Sequence, residues 1–177
     1  TNPDGDAIGS SIALALALGK KGMDARVIIP DGLPDFLRWL PGIELSTTFA
    51  YKREKATAII QDADLIFCLD FNDPKRLSGV EEILITAEAK KILIDHHQDP
   101  RDFTDLTFSD TSKGSVGEMI YLFISEILGD GVVDQDINLL STHYHTGNAT
   151  QEAKADERDK HAGEGWVAPG RLAQPGE

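Results

Sequence analysis

The sequence predicts an α/β domain: a mostly parallel, twisted sheet with helices on both of its faces. Helix-like and strand-like segments alternate along the chain from Ala7 to Leu128, which is the order that builds βαβ units. The strand-like segments, such as residues 65–69 and 92–94, are continuous apolar runs rather than alternating ones. Such strands are buried on both faces, as in a parallel sheet covered by helices.

Bulk composition narrows the kind of partner. The chain has 177 residues, of which 41% are hydrophobic, enough for one domain with its own core. A net charge of −13 argues against binding long nucleic-acid duplexes or an anionic membrane. A small phosphorylated substrate remains compatible, because bound metal ions reverse the field locally. A single cysteine, Cys68, fits a reducing compartment, and we expect a cytoplasmic protein.

The individual elements follow from hydrophobic period and turn residues. Helices are predicted at residues 7–21, 51–62, 77–91 and 116–128, and strands at 25–29, 65–69, 92–94 and 103–108. Residues 34–42 are predicted as a loop or a short helical turn. The first helix is apolar on most of its surface, which predicts that it packs against the sheet. Cys68 falls in the middle of a strand and is expected in the core.

Three segments are predicted to bring acidic residues to the carboxyl ends of the strands. They are Asp4 and Asp6 in the turn before the first helix, Asp70 after residues 65–69, and the triplet Asp95-His96-His97 after residues 92–94. Ligands of open parallel sheets bind at the carboxyl ends of the strands. Carboxylates that converge there repel one another unless cations lie among them. Oxygen ligands with an imidazole suit Mn²⁺ or Mg²⁺, so we predict a two-metal phosphoryl-transfer site.

Each of these features also has a simpler interpretation. Asp4-Gly5-Asp6 alone is typical of a turn, Asp70 alone could cap a helix that begins near Pro74, and the triplet alone could be a polar loop. Three matching strand ends favour the metal site. The beginning of the first helix, with Gly9 and Ser10, is predicted to offer backbone N–H groups to phosphate oxygens. The dinucleotide fingerprint of a Rossmann domain and the P-loop are both absent from the sequence.

At these residues the sequence resembles the DHH phosphoesterase family. Asp95-His96-His97 is similar to the triplet that names the family, residues 2–10 to its first motif, and residues 69–72 to its second. Residues 34–42 and 108–112 resemble the NrnA-type branch of bacterial oligoribonucleases, which also act on 3'-phosphoadenosine 5'-phosphate. The resemblance extends to about Asp136, with the three motifs in the family's order.

The resemblance implies a site with two Mn²⁺ ions, with Mg²⁺ as an alternative. Asp4 would bind one ion, Asp6 the other, Asp70 would bridge them and His96 would be a ligand of the second ion. His97 would lie near the scissile phosphate, and Asp95 would orient the histidines. A water activated by the two metals would be the nucleophile.

The family pattern also sets expectations about the limits of the chain. Its first motif begins with a histidine that would precede Thr1, and its fourth-motif aspartate is not matched where Ser141-Thr142-His143-Tyr144-His145 stands. We therefore expect a DHH catalytic domain at residues 1–145, truncated at both ends. Residues 146–177 are expected to be a disordered or non-native tail, and the C-terminal DHHA1 domain to be absent. Weak metal binding and poor turnover would follow for the chain alone.

The sequence thus predicts a manganese-dependent phosphodiesterase or phosphatase acting on short oligoribonucleotides or small adenine nucleotides, with a homodimer as one option. A manganese-dependent inorganic pyrophosphatase shares the Asn-Pro-Asp-x-Asp opening and is the first alternative. A cyclic-di-AMP phosphodiesterase is close in mechanism. A truncated nucleotide-binding module without catalysis is the non-enzymatic alternative.

Overall fold

Parallel strands form two sheets in the part of the chain that the structure, a computed structural model, describes (residues 4–142). In the first sheet, β1 (Val27–Ile29) pairs with β2 (Ser46–Thr48). In the second, β4 (Lys90–Asp95) lies between β3 (Leu65–Leu69) and β5 (Leu106–Ser109). The predicted α/β class with parallel strands is therefore confirmed, as two sheets rather than one.

The α-helices of the described residues lie before, between and after the strands along the chain. They are α1 (Gly5–Lys20), α2 (Arg53–Gln61), α3 (Glu81–Thr86), α4 (Val116–Phe123) and α5 (Gln135–Thr142). A π-helical turn, Ile124–Leu128, continues α4. Short 3-10 turns lie at Asp35–Leu37, Ile43–Leu45, Pro74–Arg76 and Asp130–Val132. The first of these confirms the short helical turn predicted for residues 34–42.

Helices cover both faces of the second sheet. Phe67 and Ile94 belong to the largest apolar cluster, which α1, α4 and α5 also line. Cys68 and Leu93 point the other way and cluster with Leu84 of α3. Successive residues of a strand alternate between faces, so the continuous apolar runs do serve two cores. Cys68 is buried, as the sequence predicted.

Some element bounds differ from those predicted. The helix predicted for residues 77–91 is only α3, and Lys90 and Lys91 begin β4 instead. Lys90 and Lys91 pair with Leu65 and Ile66 of β3, and the Asp105 carboxylate accepts from the Lys91 backbone N–H at 2.8 Å and pairs with Lys90 at 2.6 Å. The short polar strand β2 was not predicted at all. Residues 143–177, which include His143, His145 and the predicted tail, lie outside the described residues.

None of the helices described between residues 4 and 142 is long and apolar enough to span a membrane.

Candidate metal centre

Asp70 is the first residue after β3, and its backbone is bent in an uncommon way. Its φ angle is +63°, in the left-handed region, which aspartate tolerates better than most residues. Its backbone N–H donates to the carbonyl of Ile94 at 3.2 Å, so the pairing with β4 continues one residue past the strand. The side chain is only 7% exposed. The turn therefore holds a carboxylate inside the protein at the carboxyl end of the sheet.

Both histidines of the triplet face this carboxylate. Nε2 of His96 lies 3.6 Å from Oδ1 of Asp70, and Nδ1 of His97 lies 3.7 Å from the same oxygen. The two rings meet edge to face, with centroids 4.8 Å apart. Both distances are longer than a hydrogen bond, and the Asp70 oxygen has no hydrogen-bond partner among residues 4–142. The two imidazole rings therefore face one buried Asp70 oxygen that has no hydrogen-bond partner in the described residues.

The electrostatics of Asp70 reflect this isolation. Burial, together with the negative charges of Asp6, Asp4 and Asp95, raises the pKa of its carboxyl to about 8. Burial without hydrogen bonds penalises the charged form, and nearby carboxylates penalise it again. A cation bound among these groups would remove both penalties at once.

Asp95 is the last residue of β4 and has no exposed surface. Its Oδ1 lies 2.7 Å from Nδ1 of His97, whereas its Oδ2 has no hydrogen-bond partner within the described part of the chain. His96 is oriented differently, because its Nδ1 lies 3.2 Å from the carbonyl oxygen of Lys113. Since a carbonyl can only accept, Nδ1 of His96 carries a proton, so in the neutral ring Nε2 is the acceptor and faces Asp70.

The two acids at the start of α1 are held in different ways. Asp4 is the N-cap of the helix, and its Oδ1 accepts from the backbone N–H groups of Asp6 and Ala7, both at 3.0 Å. Asp6 is buried and accepts from the N–H groups of Val116 and Gly117, both at 2.9 Å. Burial raises the pKa of Asp6, while these two hydrogen bonds lower it. Asp6 thus joins the beginning of α1 to the beginning of α4.

The predicted site residues are brought together to different degrees. Asp70, His96 and His97 can each offer a ligand atom within 4.8 Å of the others, which makes them a possible metal site in the described region. Asp4 and Asp6 act on Asp70 electrostatically but do not belong to that group. Their proposed roles as ligands, and the roles of Asp95 and His97, stay predictions.

Gly9 and Ser10 are less well placed for the substrate role predicted for them. Both are buried in the second turn of α1. The Ser10 hydroxyl donates to the carbonyl of Ala7 at 3.3 Å, so it is turned toward its own helix. Binding of phosphate by these two residues stays a prediction without support from this geometry.

The donor set fits a divalent cation. A buried carboxylate oxygen without a hydrogen-bond partner in the described residues faces Nε2 of His96, the acceptor nitrogen of the neutral ring, and further carboxylates lie nearby. Oxygen donors with imidazole suit Mn²⁺ and Mg²⁺, and the imidazole suits the softer Mn²⁺ better. The geometry therefore supports a site for a divalent metal ion.

Three contributors to the site could not be recognised from the sequence. They are the carbonyl of Lys113 and the backbone N–H groups of Val116 and Gly117. All act through main-chain atoms, which every residue carries. The one signal available in the sequence was Gly117, a glycine at the second position of the predicted helix 116–128.

Comparison of the sequence with known protein families identifies the family to which the chain belongs. The sequence matches the family described as "DHH family, N-terminal domain" over residues 1–155. The chain therefore belongs to the DHH family, which confirms the resemblance to DHH phosphoesterases that its three motifs indicated.

Two relatives give this assignment more detail. The bifunctional oligoribonuclease and PAP phosphatase NrnA of Thermus thermophilus is 34% identical over 119 residues, which are 67% of this chain and 32% of that protein. The crystal structure of an exopolyphosphatase-related protein from Bacteroides fragilis aligns with a TM-score of 0.76 at 32% identity, covering 90% of this chain and 49% of the other. The chain thus spans about a third and about half of these two proteins.

Proposed function

We propose that this domain is the catalytic part of a manganese-dependent phosphodiesterase or phosphatase that acts on short oligoribonucleotides or small adenine nucleotides. Membership of the DHH family supports the reaction class. The two activities named for the Thermus relative, an oligoribonuclease and a PAP phosphatase, support the substrate class. A cytoplasmic location remains a prediction.

The observation that carries the proposal is the unsatisfied Oδ1 of Asp70. Buried polar atoms are almost always hydrogen-bonded, so an exception calls for an explanation. Here the exception lies at the carboxyl end of β3, between two imidazole rings. A structural role would be served better by a hydrogen bond, whereas a metal ligand must keep a lone pair available.

The residues of the site divide into holders of the metal and a group that can move a proton. Asp70 and Nε2 of His96 would hold the ions, with Asp4 and Asp6 as further carboxylate ligands. When bound, divalent ions neutralise charge on the phosphoryl group and lower the pKa of a coordinated water. The protein's part is to keep these donors fixed and partly shielded from solvent.

His97 is the group that can move a proton. Oδ1 of Asp95 accepts a hydrogen bond from Nδ1–H of His97 at 2.7 Å. Nε2 of the neutral His97 ring is therefore unprotonated. Such a nitrogen can accept a proton from water or, once protonated, give it to a leaving oxygen.

A homodimer, the remaining partner prediction, is proposed without a described contact between chains. The edge strand β5 would be the surface to test, because all four of its residues are exposed and it carries Leu106 and Phe108. Edge strands with apolar side chains are natural sites of pairing.

Hydrolysis assays test the proposal. The chain is incubated with Mn²⁺ and one substrate at a time: the dinucleotide pApA, 3'-phosphoadenosine 5'-phosphate or pyrophosphate. The products of each reaction are separated by chromatography. We expect AMP from both nucleotides, lost on addition of EDTA and in His97→Ala. Faster cleavage of pyrophosphate would favour the pyrophosphatase alternative. Metal and nucleotide binding with no hydrolysis of any substrate would favour the binding module and contradict the proposal.

A further inference from the structure

A five-residue segment, residues 113–117, contacts His96 of the candidate metal centre and the neighbouring Asp6 from far along the chain. This entrance segment leads into α4. We propose that it is a positioning device that sets His96 and Asp6 for metal binding, with Gly117 as its key positioning residue. The inference rests on the proposed function, since it assigns these residues a purpose in the same site.

The contacts are directional. The carbonyl of Lys113 accepts from Nδ1 of His96 at 3.2 Å, and the N–H groups of Val116 and Gly117 donate to the two carboxylate oxygens of Asp6, each at 2.9 Å. The first contact fixes which nitrogen of His96 is free for a metal. The second fixes the plane of the Asp6 carboxylate. Partners of this kind orient metal ligands and set their basicity.

The entrance segment is itself held in place. Ser115 is buried, and its hydroxyl caps α4 by accepting from the N–H of Glu118 at 3.1 Å. The side chain of Lys113 pairs with Glu118 at 2.8 Å across the same turn. A displacement at one end of the segment is therefore transmitted to the other.

Gly117 is the point at which the segment has no room to spare. A Cβ built there would lie 2.5 Å from the backbone oxygen of Ser141 and 3.2 Å from Oδ1 of Asp6. The first neighbour belongs to α5 and cannot rotate away as a side chain would. A single added methyl group must therefore push α4 away from α5, and this movement shifts the N–H groups that hold the Asp6 carboxylate. Gly114 lies in the same segment, and no heavy atom of the described residues comes within 4 Å of a Cβ built on it.

This contrast supplies a matched pair of variants, Gly117→Ala and Gly114→Ala. Mn²⁺ affinity of the 177-residue chain is measured by the loss of the free-ion signal in electron paramagnetic resonance. We expect Gly117→Ala to bind about 10–100-fold more weakly, the usual effect of disturbing a partner of a metal ligand. Gly114→Ala should bind as the wild type does.

A second readout uses the metal-free chain. Long-range ¹H–¹⁵N spectra report which nitrogen of His96 carries the proton when the ring is neutral. The wild type and Gly114→Ala should show the Nδ1–H form, and Gly117→Ala a mixture of the two forms. A role confined to packing would lower the melting temperature without changing this signature. Should Gly117→Ala not fold, Ser115→Ala, which removes the cap without adding an atom, is measured in its place and should change the His96 signature in the same way.

The outcomes separate this inference from the proposed function. Wild-type affinity and an unchanged His96 tautomer in Gly117→Ala would overturn the inference, as would equal losses in both glycine variants. If the wild type binds Mn²⁺ but hydrolyses no nucleotide, the proposed function fails while the comparison of variants still decides the positioning role. If the chain binds no Mn²⁺, the purpose proposed for the segment is overturned with the metal site.

Discussion

Nδ1 of His97 lies 2.7 Å from Oδ1 of Asp95, a carboxylate with no exposed surface at the end of β4. Because Asp95 is placed by the strand and His97 is one-third exposed, the pair connects a rigid element to the accessible part of the site. The hydrogen bond selects the tautomer of His97 and the direction of its free nitrogen.

Asp95→Asn tests this pair. An amide can still contact His97, but its NH₂ group can donate to the ring and so reverse the tautomer. We expect kcat for pApA hydrolysis to fall about 10–100-fold with little change in KM. The control is Asp99→Asn, an equal change in charge at an exposed residue whose φ of +54° suits asparagine. Equal activity of the two variants would contradict the role given to Asp95.

Asp70 should make the stability of the metal-free chain depend on pH. Its pKa is about 8 in the folded chain against a usual value of 3.8. Between these values the folded state binds more protons than the unfolded state, so this group lowers the free energy of unfolding as pH rises. The penalty begins above about pH 4 and is complete above about pH 8.

Asp70→Asn removes this titration, and asparagine tolerates the left-handed backbone. In EDTA, the melting temperature of the variant minus that of the wild type should be near zero at about pH 4 and grow steadily toward about pH 8. Thermal unfolding followed by circular dichroism measures the difference. A difference that stays constant, or shrinks as pH rises, would contradict the buried, unpaired state of this carboxyl.

Asp4 combines two roles that substitution can separate. It caps α1 through hydrogen bonds to Asp6 and Ala7, and it is a proposed metal ligand. Asp4→Ser keeps a good cap, so urea unfolding should change little, whereas Asp4→Ala should lose about 1 kcal/mol. Both variants should bind Mn²⁺ more weakly than the wild type. Full Mn²⁺ affinity in Asp4→Ser would show that Asp4 is a cap alone.

In the second sheet, we expect the paired strands β3 and β4 to contribute more to the free energy of unfolding than the edge strand β5. Leu93 is wholly buried, whereas Leu106 on the edge strand β5 is 56% exposed. Leu93→Ala should lower the free energy of unfolding by about 2–5 kcal/mol. Leu106→Ala is the matched control and should stay within about 0.5 kcal/mol. Urea titrations give both values, and a large loss from Leu106→Ala would indicate that β5 is covered in solution.

The sequence predicted the strand ends better than it predicted the connections between them. Asp70 and Asp95 could be placed because each follows a continuous apolar run, and such runs mark buried parallel strands. The start of β4 was missed, since Lys90 and Lys91 are held by Asp105, a contact that leaves no local pattern. The polar strand β2 lacked the apolar signal altogether.

The organisation of the site was predicted only in part for a related reason. The triplet was expected to be oriented by Asp95, but the partner of His96 is the carbonyl of Lys113. Asp6 likewise depends on N–H groups 110 and 111 residues away in sequence. Main-chain partners have no identity in a sequence, so the folded chain is needed to find them.

Asp70, His96 and their neighbours are proposed to form a divalent-metal site. Calorimetric titration of the chain with Mn²⁺ tests it most directly, with Asp70→Asn compared against Asp62→Asn, an equal change in charge at an exposed residue before the opposite end of β3. We expect the wild type and Asp62→Asn to bind Mn²⁺, and Asp70→Asn to lose at least tenfold in affinity, about 1.4 kcal/mol. Equal Mn²⁺ affinity in all three proteins, or no binding by the wild type, would contradict it.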